Sequence, residues 1–206
     1  MFKLFYSPGA AALAPHCALE EAGAAYELVL VDTKSGAHKK PEYLKLNPNG
    51  RIPTLAHGDF VMYESAAILM HVADCHPASG LAPAIGTPER GRYYQWVTYL
   101  TNTVQEAYMQ YFHADYYGSP AAHADIKATA ETRLQPMFRI LDDALASGPY
   151  LLGQRFSAAD IFLIMMARWS RNMAKPAVTY PNIKRCVDLV TARPAIQRAY
   201  KAEGLS

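Results

Sequence analysis

Apolar and polar positions alternate in short runs through the first third of the chain, then settle into a helical rhythm. Phe2, Leu4 and Phe5 beside Lys3 and Tyr6 predict a half-buried strand, and Ser7-Pro8-Gly9 turns the chain at its end. The alanine-rich segment that follows predicts a helix, with Gly23 as its C-terminal glycine. Tyr26 to Val31 predicts a second strand, completing a compact βαβ unit. Residues 32–40 are polar and read as a loop. Pro41 suits the first turn of a short helix through Glu42, Tyr43, Leu44 and Leu46, which Asn47-Pro48-Asn49-Gly50 stops. The runs Ile52–Ala56 and Phe60–Tyr63, separated by His57-Gly58-Asp59, predict a hairpin. Ser65 then reads as the N-cap of a helix whose apolar face carries Ala67, Ile68, Leu69, Val72 and Ala73.

The predicted architecture is an α/β domain of order βαβαββα over 1–76, a Pro- and Gly-containing linker over 77–87, and an all-α domain over 88–206. Helices are predicted near 88–117, 121–147, 157–172, 181–192 and 194–203. Ser157 and Asp160 form a variant capping box with a structural purpose. The apolar run Ile161–Ala167 is a buried helix, far short of the roughly 20 residues a membrane span needs.

Composition narrows the function classes. The 20 Lys+Arg against 18 Asp+Glu leave +2, without a charged block, so neither nucleic acid nor a membrane surface is an expected partner. Ser-Pro-Gly interrupts the N-terminus before a signal-peptide core develops, which predicts a cytoplasmic protein. Cys17, Cys75 and Cys186 are odd in number and form no CxxC pair. They read as buried free thiols, and no metal site is expected.

Three stretches carry candidate chemistry. Where the first strand feeds the first helix, unpaired N–H groups and the helix dipole favour an anion. Ala11 and Ala12 occupy that spot, so no side chain there is a nucleophile. Pro53 opens a strand, which reads either as a plain edge-strand proline with a trans bond or as a cis bond that turns the N–H and C=O of Ile52 outward to pair an extended peptide. Glu64-Ser65 reads as a plain cap beside a solvated carboxylate, or as a clamp for an α-amino acid head: Ser65 and the helix start for its carboxylate, Glu64 for its ammonium.

The element order, with "NPNGRIPTL" and "YESAAIL" in sequence, resembles the thioredoxin-like N-terminal domain of cytosolic glutathione S-transferases. The helical half with "FSAADIFL" resembles their C-terminal domain, and "YSPGAAALAPH" with "RPAIQRAYKAEGL" makes the bacterial beta class the nearest branch. The resemblance implies a homodimer that uses glutathione as co-substrate, with no metal, and attacks a small hydrophobic electrophile. It implies that Ile52 pairs with the cysteinyl unit, that Pro53 is cis, that Glu64 and Ser65 hold the γ-glutamyl head, and that Arg51 adjoins this contact. Lys34 is a counterpart for the glycine carboxylate, with Lys39 and Lys40 competing.

The departures are equally specific. Beta-class members carry Cys-Ser where this chain has Ala11-Ala12, and a histidine where it has Gln105. Thiol activation then falls to the backbone at Ala11 and Ala12, or to Tyr6, Ser7, Gln105, Tyr108 or Tyr111. Otherwise the chain holds glutathione or another ligand without turnover. The electrophile pocket is expected between the domains, along the first long helix, where Tyr108, Met109, Tyr111 and Phe112 cluster, though the same residues read equally as core. Glutaredoxin-type exchange lacks its thiol at the helix start.

Overall fold

The computed structural model describes residues 1–205 of the chain. It divides into two compact units: Met1–Ala82 together with the C-terminal stretch from Thr191, and Pro83–Val190. The predicted helical segment 88–206 therefore contributes its last helix to the first unit.

In the first unit, strands β1 (Phe2–Tyr6), β2 (Tyr26–Leu30), β3 (Thr54–His57) and β4 (Phe60–Tyr63) form one sheet in the order β2-β1-β3-β4. β1 runs parallel to β2 and antiparallel to β3, and β3 and β4 make the predicted hairpin. Helix α1 (Leu13–Glu21) follows β1, and Gly23, at φ +62°, ends it as expected. The short α2 (Pro41–Leu44) and the longer α3 (Ser65–Cys75) complete βαβαββα. Leu4, Leu13, Leu19, Leu55, Ile68, Leu69 and Val72 are fully buried and form the core.

Helix α9 (Pro194–Ala202) packs against α1. Beyond its end, Glu203 accepts the Gly9 N–H at 2.8 Å and sits 2.8 Å from His16 Nδ1, both side chains fully buried. His16 Nε2 meets the Tyr26 hydroxyl, which donates to Glu20. His16 therefore links the end of α9 to β2 through Glu203 on one side of its ring and Tyr26 on the other. The sequence alone left His16 without a role.

The second unit is helical: α4 (Pro88–Tyr99), α5 (Gln105–Phe112), α6 (His123–Ala144), α7 (Ala158–Trp169) and α8 (Pro181–Thr191). The single helix expected over 88–117 is interrupted by a π-helical turn, Leu100–Val104, and ends at Phe112. The capping box holds: Ser157 Oγ accepts the Ala159 N–H, while Asp160 accepts the N–H groups of Ser157 and Leu151 at 2.8 Å each. Ala158 through Ala167 are all buried, so α7 is the central helix of this unit. The expectation that all three cysteines are buried needs correction: Cys17 and Cys186 are, but Cys75, in the last turn of α3, is exposed.

Candidate functional site

Three stretches of the first unit hold the residues singled out from the sequence. At the β1–α1 junction, Gly9 adopts φ +67°, and its N–H is committed to Glu203. Ala10 and Leu13 donate to the carbonyls of Ser7 and Ala10. The N–H groups of Ala11 and Ala12 find no acceptor among the described residues, and they stand at the positive end of α1. Ala12 is fully buried and Ala11 half-buried, so Ala11 is the residue of the pair that an incoming ligand reaches. Tyr6 ends β1, and the Ser7 hydroxyl lies 3.3 Å from that of Thr33.

The Ile52–Pro53 bond is cis. Tyr43 and Asn47 fix the approach to it: the Tyr43 hydroxyl and Asn47 Nδ2 both donate to the Arg51 carbonyl at 2.8 Å, and Tyr43 also meets Thr54 Oγ1. Burial pushes the Tyr43 phenol above its ordinary value, keeping it a donor. Gly50 (φ +55°) is the one residue type this path accepts, since a Cβ there would lie 2.9 Å from the His38 carbonyl. Ile52 itself is half-buried, and neither its N–H nor its C=O is paired among the described residues. Sequence reading missed Tyr43 and Asn47, although an aromatic and an amide flanking a Pro-Asn-Gly stop are a usable signal.

Glu64 differs from expectation in an informative way. It, not Ser65, occupies the cap position of α3, at φ +76° and ψ 113°, while Ser65 is the first helical residue. A glutamate held at positive φ costs about 1–3 kcal/mol, the kind of strain that accumulates where a ligand requires it. Ser65 is buried, and its hydroxyl donates to the Ala11 carbonyl at 2.6 Å. That one hydrogen ties α3 to the β1–α1 turn, so an incoming carboxylate meets the N–H groups of the helix start and finds the hydroxyl hydrogen already used.

Of the three lysines, Lys39 reaches the Asn49 carbonyl at 3.3 Å, while Lys34 and Lys40 are exposed. Arg51 is exposed beside Ile52.

The remaining candidates lie in the second unit. Gln105 follows the π-helical turn and accepts from the Thr101 hydroxyl at 3.2 Å. Tyr108 is buried, donates to the Met166 carbonyl at 2.6 Å, and has its phenol pushed upward by burial. It stacks with Phe112 and meets Trp169 edge-on, while Tyr111 is half-buried and Phe112 exposed. The structure thus gathers Tyr6, Ser7, Ala11, Ala12, Arg51, Ile52, Pro53, Glu64 and Ser65 in one unit, and Gln105, Tyr108, Tyr111 and Phe112 in the other. Among the described residues no helix is long and apolar enough to cross a membrane.

Known proteins share this arrangement. Residues 1–74 match the glutathione S-transferase N-terminal domain and residues 110–202 its C-terminal domain. Glutathione S-transferase GstA of Escherichia coli O157:H7 is 29% identical over 205 residues, covering 98% of this chain and 99% of the relative. The bacterial beta class glutathione S-transferase of Sphingomonas chungbukensis is 35% identical at a TM-score of 0.88, covering 99% of this chain and 100% of its own. A sphingomonad glutathione S-transferase solved with glutathione is 37% identical at a TM-score of 0.87, with the same coverage. Both domain matches, the full-length relatives and the shared sheet-plus-helices architecture lead to one conclusion: the chain belongs to the glutathione S-transferase family and is similar to its bacterial beta class.

Proposed function

We propose that the protein is a glutathione transferase that conjugates glutathione thiolate to small apolar electrophiles without a protein cysteine at the reacting sulfur. One observation carries this reading: the N–H groups of Ala11 and Ala12 lack acceptors at the start of α1, where the helix dipole favours negative charge. Each pKa unit by which such donors lower the thiol is worth about 1.4 kcal/mol. Ile52 pairs the cysteinyl unit through its backbone. Glu64 takes the γ-glutamyl ammonium, and the start of α3 takes its carboxylate. Lys34, Lys39 or Lys40 meets the glycine carboxylate, and Arg51 adjoins the Ile52 contact. Tyr6, Ser7 and Gln105 are the side chains next in line to steady the sulfur, and Tyr111 and Phe112 offer apolar surface to the electrophile. The proposal extends to a cytoplasmic homodimer acting in detoxification, with no resident metal needed for transfer.

A non-catalytic holder of glutathione or its conjugates is the second reading, favoured by alanine at both positions where the beta class carries Cys-Ser. Calorimetric titration of glutathione and S-methylglutathione, repeated in buffers of different ionisation enthalpy, separates the two. Proton release with glutathione alone supports the transferase, whereas equal binding of both without release supports the holder. Glu64→Ala weakens both ligands if the head clamp is correctly assigned, and unchanged affinity removes that assignment.

A further inference from the structure

The hairpin β3–β4 and the far end of α3 bring together three metal-binding side chains remote in sequence. His71 and Cys75 stand four residues apart on α3, hence on one helix face, and His57 is the last residue of β3. One ligand atom from each lies within 4.8 Å of the others, and Cys75 Sγ is 3.5 Å from His71 Nε2. Donors around a tetrahedral Zn(II) stand about 3.3–3.6 Å apart, so the sulfur and one imidazole already have the required spacing. Rotation of two accessible side chains closes the remainder, since His57 and Cys75 are exposed and His71 is half-buried.

The surroundings favour a cation. Cys75 is the last residue of α3, where unpaired carbonyls give the helix its negative end, and His71 stands one turn before it. Asp74, exposed and next to Cys75 in the chain, adds a carboxylate at this end of the helix. Phe2 packs on the His57 ring at 4.3 Å between centroids, and Phe60 on the His71 ring at 5.5 Å, so aromatic walls limit how far each imidazole swings.

We propose that His57, His71 and Cys75 form a surface site for a thiophilic divalent cation, Zn(II) by its donor set, with the fourth position left to water. Two imidazoles and a thiolate suit Zn(II) over Mg(II) or Ca(II), which prefer oxygen donors. The bound ion clips the hairpin to the helix end, at a place separate from the residues assigned to glutathione. Sequence spacing concealed the site because His57 reaches it only through the strand pairing His57↔Phe60 and Phe2↔His57.

The test uses the untagged, reduced, full-length chain after treatment with a chelator. Co(II) is titrated first as the spectroscopic probe, and Zn(II) then displaces it. Expected are one equivalent of Co(II), a sulfur-to-cobalt charge-transfer band and tetrahedral visible bands. Cys17 and Cys186 are buried, so the band reports Cys75. Cys75→Ser abolishes the band and weakens Zn(II) by at least about tenfold, and His57→Gln weakens Zn(II) similarly while keeping the band. Absence of a thiolate band in the wild type, or Zn(II) affinity unchanged by Cys75→Ser or His57→Gln, overturns the proposal.

Discussion

Asp160 shows how much one buried side chain decides. Its carboxylate accepts from the Leu151 N–H and, at the other oxygen, from the Ser157 N–H and hydroxyl, and burial still raises its pKa from 3.8 to about 6. A carboxyl that holds its proton more tightly in the native state stabilises most at low pH. Its contribution is complete below about pH 4 and fades as pH rises to about 6, a change of order 3 kcal/mol for the roughly two-unit shift. Asp160→Asn removes that titration and turns an amide NH2 toward one of the two N–H donors, costing a further 1–3 kcal/mol or so. Urea unfolding at pH 4, 5, 6 and 7 checks both parts: the variant is less stable throughout, and the gap between variant and wild type narrows as pH rises. A gap that widens with pH contradicts the assigned direction.

Elements set by local pattern were legible in advance, and those set by distant partners were not. The Ser157–Asp160 box spans four residues and could be read from neighbours alone, whereas a proline opening a strand left the Ile52–Pro53 bond open between trans and cis, and the family resemblance implied cis. The π-helical turn at Leu100–Val104 leaves no mark in an apolar spacing that fits one continuous helix. The Ser65 hydroxyl could be expected at a helix start, but its partner, the Ala11 carbonyl, is 54 residues away. The tie between α1 and α9 is more remote still, since His16 and Glu203 are 187 residues apart and neither neighbourhood hints at the other. This tie sets a prediction for the element pair. Glu203→Leu keeps roughly the size and removes both acceptor oxygens, so the Gly9 N–H and His16 Nδ1 lose this partner. The expected cost is about 1–3 kcal/mol, concentrated where α9 meets α1. Hydrogen exchange read by mass spectrometry registers it as faster exchange at Gly9 and through α9, with α7 in the other unit unchanged. Uniform acceleration across the chain would argue instead for a global loss of stability.

Across the whole molecule, the distribution of thiols separates two chemistries that the same fold accommodates. Disulfide exchange through the protein requires a nucleophilic thiolate in reach of glutathione disulfide, with attack on one sulfur and departure of the other as glutathione. The helix start offers Ala11 and Ala12 in its place. Cys17 is nearby in sequence but fully buried, and desolvation together with Glu203, Glu21 and Glu20 raises its pKa well above the ordinary thiol value. Cys186 is buried beside Asp160, with desolvation the largest cause of its own upward shift. Only Cys75 meets solvent. Native, chelator-treated protein incubated with excess glutathione disulfide therefore gains a single glutathionyl group, mapped to Cys75 by peptide mass spectrometry, and Cys75→Ser gains none. Modification of Cys17 or Cys186 at a comparable rate would mean that the first or second unit opens readily enough to expose its core. If the single adduct forms and Cys75→Ser binds glutathione as tightly as the wild type, the thiol that reacts is remote from the thiol that is held. Any chemistry at the Ala11–Ala12 amides then belongs to the sulfur of glutathione itself.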